Sequence, residues 1–196
     1  MCSFNMIIGL TGSFGTGKST VARLFKKYRA FIIDADEINH QILKENKPVI
    51  KKIAGLFGRE ILAKDGTINR KNLAQLVFKN KKDLSKLCKI SHPIIIVQIK
   101  NRIKKINRNS LIVIDAPLLI EAGLNKLLDY LIVVKADKET LVRRLKKKGF
   151  SRNEVLHRLR IQLPLRYKLR LADFVIDNNG ALNNTKKQID RILQTF

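Results

Sequence analysis

The chain has 196 residues, 45% hydrophobic and 29% charged, and 40 Lys and Arg against 16 Asp and Glu give a formal net charge of +24. This composition excludes a disordered chain and suits one globular domain with small inserted subdomains. No apolar run approaches the roughly 18 residues of a membrane span, and the N-terminus lacks a signal-peptide charge pattern, so the expectation is a cytoplasmic protein with no membrane partner. The positive charge is scattered, as at Lys81-Lys82, Lys104-Lys105 and Lys186-Lys187. It therefore fits compositional drift, or attraction of a polyanionic small ligand, better than a nucleic-acid-binding stripe. Cys2 and Cys88 are too few for a disulfide framework and sit in no metal-binding spacing.

Met6–Thr11 (MIIGLT) is apolar without alternation, which predicts a strand buried on both faces. It runs into Gly12-Ser13-Phe14-Gly15-Thr16-Gly17-Lys18-Ser19, a GxxxxGKS motif, and then into a stretch carrying Val21, Leu24 and Phe25 at helical spacing. Strand, glycine-rich turn and helix in that order are the setting a phosphate-binding P-loop requires. Gly12, Gly15 and Gly17, with Thr16 between them, let backbone N–H groups turn inward around phosphate oxygens, and the helix start adds a positive dipole end. Lys18 is placed to reach the β- and γ-phosphates of ATP, Ser19 to ligate Mg2+ and Thr20 to touch the α-phosphate. A chance glycine-rich turn is the competing reading, and the strand–helix setting disfavours it. The motif itself does not choose among kinases, ATPases and GTPases.

Phe31–Ile33 predicts a second strand, running into Asp34-Ala35-Asp36. A carboxylate at a strand end beside the first strand–helix loop can accept a hydroxyl proton, which a kinase needs; aspartate is equally a favoured helix cap. Two aspartates allow one of each, with Asp36 expected to be catalytic and Asp34 structural or metal-linked. From 37 to 109 the pattern is helical, with breaks expected at Gly55, Gly58, Asp65-Gly66 and Pro93. Leu111–Ile114 predicts a third strand ending at Asp115, where a Walker-B-type carboxylate would hold Mg2+; a turn before Pro117 is the alternative.

Tyr130–Val134 predicts the fourth strand and Phe174–Ile176 the fifth, followed by a C-terminal helix that includes 188–193. Between them, 141–171 is helical and basic: Arg143, Arg144, Lys146, Lys147, Lys148 and Arg152, then Arg158, Arg160, Arg166, Lys168 and Arg170. Such a run is usually a solvated helix face. Interrupting an α/β pattern beyond a strand end, it also reads as an arginine lid that stabilises a transferred phosphoryl group. Arg144 is the first candidate for ATP and the transferred group, and Arg158 for the acceptor. The expected fold class is α/β: a P-loop NTPase with a parallel sheet of about five strands and helices on both faces. One kinase domain over 1–196 would have its core at 6–36, 110–140 and 172–196, a helical insertion at about 37–109 and a lid at about 141–171.

Taken together these segments resemble the dephospho-CoA kinase family over nearly the whole chain. IGLTGSFGTGKSTVA (8–22), IIDADEI (32–38), FG (57–58), DGTINR (65–70), HP (92–93), DAPLLIEAGL (115–124) and ADFVIDNNG (172–180) occur in the family's order. The P-loop is generic; the ordered combination is specific. The resemblance implies ATP-dependent phosphorylation of the 3′-hydroxyl of dephospho-CoA, with the 37–109 insertion binding the CoA moiety. It places the family's base on Asp36 and makes Arg70 and His92 acceptor-site candidates; as bare residues these read as a surface arginine and a turn histidine. It also sets Asn178, Asn179 and Gly180 beside adenine, where the residues alone read as a turn. A monomer without a nucleic-acid partner is expected. One departure is Lys148, where the family often carries an arginine; lysine is a point charge without the planar fork. Another small-molecule P-loop kinase, a nucleic-acid-binding ATPase and a non-catalytic nucleotide-binding regulator are the competing readings.

Overall fold

The computed structural model describes residues 5–77 and 81–196, and Cys2 lies outside them. Five strands form one sheet in the order β2-β3-β1-β4-β5. They are β1 (Met6–Gly12), β2 (Phe31–Asp34), β3 (Leu111–Asp115), β4 (Tyr130–Lys135) and β5 (Phe174–Asp177). Each begins where the sequence predicts and runs one residue further. β1 takes the centre: it is parallel to β3, with Ile8 opposite Val113, and parallel to β4, with Leu10 opposite Ile132. β4 continues in parallel to β5. Parallel neighbours need long crossovers, which here carry the helices.

The chain divides into two compact units, one holding residues up to Ile33 with Ile103–Phe196 and the other Asp34–Arg102. In the first, α1 (Lys18–Lys26) and α9 (Leu182–Leu193) cover one face of the sheet. Val21, Leu24 and Phe25 of α1 and Ile189 and Ile192 of α9 close over Ile8, Leu10, Val113, Ile132, Val134 and Ile176. This unit also contains α6 (Lys138–Lys146), α7 (Arg152–Ile161) and α8 (Leu165–Arg170), the last lying against β1 and β4.

The second unit is helical: α2 (Ala35–Glu45), α3 (Lys47–Phe57), α4 (Arg70–Val77) and α5 (Lys81–Lys104). The start of α3 is capped by a side chain, Asn46 Oδ1 accepting from the Val49 N–H at 3.2 Å. Two expected breaks are absent. Gly55 lies within α3, and α5 runs unbroken through Pro93. Proline removes the hydrogen bond to the carbonyl four residues back. That residue, Lys89, is exposed, so its carbonyl can turn to water while Ser91, Ile95 and Ile99 keep the buried stripe. Gly58 and the Asp65-Gly66 turn do end their segments; in the latter Asp65 Oδ1 accepts from the N–H and Oγ1 of Thr67 at 3.0 and 2.7 Å. Among the described residues no helix is long and apolar enough to cross a membrane.

Candidate active site

The P-loop is built from the backbone outward. At Gly12 an added Cβ would lie 2.4 Å from the Val134 carbonyl oxygen of the neighbouring strand. At Gly17, φ is +86° and a Cβ would lie 2.2 Å from Asn178 Nδ2, so only glycine fits either position. The turn is held by Thr16, whose N–H and Oγ1 donate to the Ser13 carbonyl at 3.2 and 3.0 Å. Helix α1 then starts directly, with the Thr20 and Val21 N–H groups bonded to the Gly17 carbonyl. Lys18 projects from the first residue of α1 and its ammonium bonds Asp115 Oδ1 at the end of β3. Asp115 is almost wholly buried, whereas the Ser19 side chain is exposed. The lysine and the carboxylate that the sequence assigned to phosphate and to metal are therefore brought together as an ion pair.

Behind the loop stands Asn178, 5% exposed. Its Nδ2 donates to the Thr16 carbonyl at 2.7 Å, its Oδ1 accepts from Thr185 Oγ1 at 2.8 Å and its N–H donates to the Lys135 carbonyl at 2.9 Å. Arg144, on α6, adds a second brace: NH1 donates to the Thr16 carbonyl at 3.3 Å and NH2 to the Asn178 carbonyl at 2.7 Å. The polar groups of Asn178 are thus turned to the protein itself. The following Asn179 accepts the Asp137 N–H and donates to Asp177. Burial pushes the Asp177 carboxyl up, but the Asn179 N–H and Lys135 outweigh it and hold it below the usual carboxylate range.

The basic run divides by exposure. Arg143, Lys146, Lys147, Lys148, Arg152, Arg160, Arg166 and Arg170 are exposed, as a solvated face would be, while Arg144 and Arg158 are half-buried. Arg158 lies with its guanidinium carbon 4.9 Å from the Phe14 ring centre and 4.8 Å from that of Phe150. The two rings meet edge-to-face at 5.2 Å, an arrangement that favours a cation against their faces. Burial lowers the pKa of Arg158, with Glu154 pulling the other way. The Phe14 N–H donates to Gln162 Oε1 at 3.0 Å, so α7 and the residue after it are docked on the P-loop. Phe14, Gln162 and Thr185 carry no signal in the sequence for these contacts, because nothing in a single aromatic, amide or hydroxyl tells which backbone it will meet.

In the helical unit, Asp34 caps α2: its Oδ1 accepts the N–H groups of Asp36 and Glu37 at 2.8 and 3.1 Å. This is the structural half of the expected division of labour. Asp36 is exposed in the first turn of α2. Arg70 is exposed at the start of α4, next to Asn69, whose Oδ1 accepts the N–H groups of Lys71 and Asn72 at 3.1 Å. His92 is half-buried within α5, on a helix and not in the turn that its neighbour Pro93 suggested.

A glycine-rich loop with a lysine, a buried carboxylate at a neighbouring strand end and a docked basic segment are the kinds of parts that phosphoryl transfer uses. Comparison with known proteins agrees. The family model described as dephospho-CoA kinase matches residues 6–184. The dephospho-CoA kinase of Carboxydothermus hydrogenoformans is 44% identical over 193 residues, which cover 97% of this chain and 94% of that one. Among solved structures, TT1252 from Thermus thermophilus superposes with a TM-score of 0.82 at 32% identity, covering 98% of both chains. Dephospho-CoA kinase from Campylobacter jejuni does so with a TM-score of 0.69 at 29% identity, covering 97% of this chain and 96% of that one. The chain belongs to the dephospho-CoA kinase family.

Proposed function

We propose that the chain transfers the γ-phosphate of ATP to the 3′-hydroxyl of the dephospho-CoA ribose, releasing ADP and coenzyme A. The observation that carries this reading is the family match over residues 6–184, which spans the P-loop, the Asp34-Ala35-Asp36 segment, Asp115 and the basic segment together. In the step, the ribose oxygen forms a bond to the γ-phosphorus, the bond from phosphorus to the β-phosphate oxygen breaks, and the hydroxyl proton passes to the Asp36 carboxylate. Lys18 and the P-loop N–H groups hold the β- and γ-phosphates against that attack. Arg144 acts from α6, orienting the loop through the Thr16 carbonyl and meeting the phosphates. Asn178 serves ATP by fixing the same carbonyl.

Ser19 and Asp115 offer a hydroxyl and a carboxylate oxygen, the donors that a hard cation takes, so the pair fits Mg2+ with ATP. When bound, that ion neutralises charge across the β- and γ-phosphates. In this reading the helical unit receives the CoA moiety through Arg70 and His92, Arg158 assists from the lid, and the enzyme works as a cytoplasmic monomer. The acceptor is tested by following ADP release from Mg-ATP with dephospho-CoA, AMP, gluconate, shikimate or single-stranded DNA. Stimulation by dephospho-CoA alone is expected. Stimulation by DNA, or by another small acceptor in its place, contradicts the assignment.

A further inference from the structure

Lys168 is the only Lys or Arg among the described residues that is buried, with 0% of its surface exposed. Its neighbours in α8, Arg166, Tyr167 and Arg170, are all exposed. An ammonium withdrawn from water is costly unless it is paired and hydrogen-bonded. Lys168 Nζ donates to the Pro117 carbonyl at 2.6 Å and lies 3.1 Å from Glu121 Oε1. Each partner is itself shared. The Pro117 carbonyl also accepts from Thr11 Oγ1 at 3.3 Å, and Glu121 Oε1 also accepts the Leu163 N–H at 3.1 Å.

One ammonium thus joins three segments. Thr11 is wholly buried and immediately precedes Gly12 of the P-loop. Pro117 lies two residues after Asp115, the partner of Lys18. Leu163 lies between α7 and α8, where the basic segment returns to the sheet. Apolar residues of similar size often replace a buried ion pair with no loss of stability, so packing alone does not call for a lysine here. Lys168 holds the carbonyl two residues beyond the carboxylate that pairs with Lys18, which places the two ammoniums at the same end of the sheet.

The geometry points to Lys168 as a positioning residue for phosphoryl transfer, its ammonium holding the Pro117 carbonyl and Glu121 so that the loop carrying Asp115 and the root of the lid keep a fixed place beside the P-loop. This inference rests on the kinase reading above. It assigns Lys168 no contact with substrate: it acts through Asp115 and Lys18, and its loss is felt in the chemical step more than in binding.

The experiment is steady-state CoA formation, with thermal unfolding, for the wild type, Lys168→Met, and the double variant Lys168→Met/Glu121→Gln. Glutamine at 121 keeps an acceptor for the Leu163 N–H while removing the charge left behind. Lys168→Met is expected to lower kcat about ten- to a hundredfold, the scale of a small misplacement of reacting groups, with KM for both substrates changed less than about threefold. The double variant is expected to recover the melting temperature but not kcat. Wild-type kcat in Lys168→Met overturns the inference. So does a double variant that recovers kcat together with stability, since Lys168 is then only structural. Where Lys168→Met alone fails to fold, the double variant decides. A wild-type protein that makes no CoA from dephospho-CoA refutes the kinase reading instead, and the two failures are told apart by that control.

Discussion

Asp34 and Asp36 stand two residues apart with the same side chain, and their surroundings differ. Asp34 Oδ1 holds two backbone N–H groups at the start of α2, whereas Asp36 is exposed in the first turn of that helix. Asp34→Ala should cost about 1 kcal/mol of stability, the usual value of a lost cap. Asp36→Asn should leave Mg-ATP binding intact and lower turnover about a hundred- to ten-thousandfold, the range of general-base catalysis. Calorimetric ATP titration and a turnover assay on the two variants check this, and wild-type turnover in Asp36→Asn removes it from the mechanism. That one aspartate of the pair caps a helix was legible in the sequence, because aspartate after a strand and before a helical stretch is a favoured cap. Lys168 was not: in a six-residue helix bearing four charged or aromatic side chains between Leu165 and Arg170, no periodicity distinguishes the buried cation from its solvated neighbours. Nor could the sequence alone show that the side chain of Asn178 turns to the Thr16 carbonyl.

Among the elements, the strands were the clearest part of the sequence. Five short apolar runs without alternation correspond to five strands, because a parallel sheet covered by helices leaves little place for polar residues along a strand. The helical unit was less legible. Glycine and proline were expected to break it at Gly55 and Pro93, and tertiary burial of Ile53, Ile95 and Ile99 overrode both. Helix α7 carries its own start signal. Ser151 Oγ accepts the Glu154 N–H at 3.2 Å and Glu154 Oε2 accepts the Ser151 N–H at 2.8 Å, a reciprocal capping box. The Ser151 N–H holds the Glu154 carboxyl below its ordinary value of 4.5. Because this folded value is depressed, the stabilisation is complete above pH 4.5 and is lost as pH falls through the lowered value. Thermal unfolding of wild type and Glu154→Gln between neutral and strongly acidic pH should show a gap that closes at the acid end. A gap independent of pH contradicts the capping role of the carboxylate.

At the scale of the whole molecule, the net charge of +24 is the least specific feature and the ordered motifs are the most specific. Exposed charges separated by more than about 8 Å are largely screened at physiological salt. The cations that the fold draws to the P-loop are few, Lys18 and Arg144 first. The family and the sheet could be read from the order of the motifs along the chain. Contacts within the site could not, since the brace of Asn178 on Thr16 joins residues 162 positions apart. What remains specific to this chain is the acceptor and the atom that receives the phosphate. The most direct measurement is the identity of the product from ATP and dephospho-CoA, by mass spectrometry with 31P NMR to locate the new phosphate. The account predicts coenzyme A carrying the phosphate on the ribose 3′-oxygen, formed in step with ADP. ADP formed without a phosphorylated acceptor, or a phosphate on any other oxygen, contradicts it.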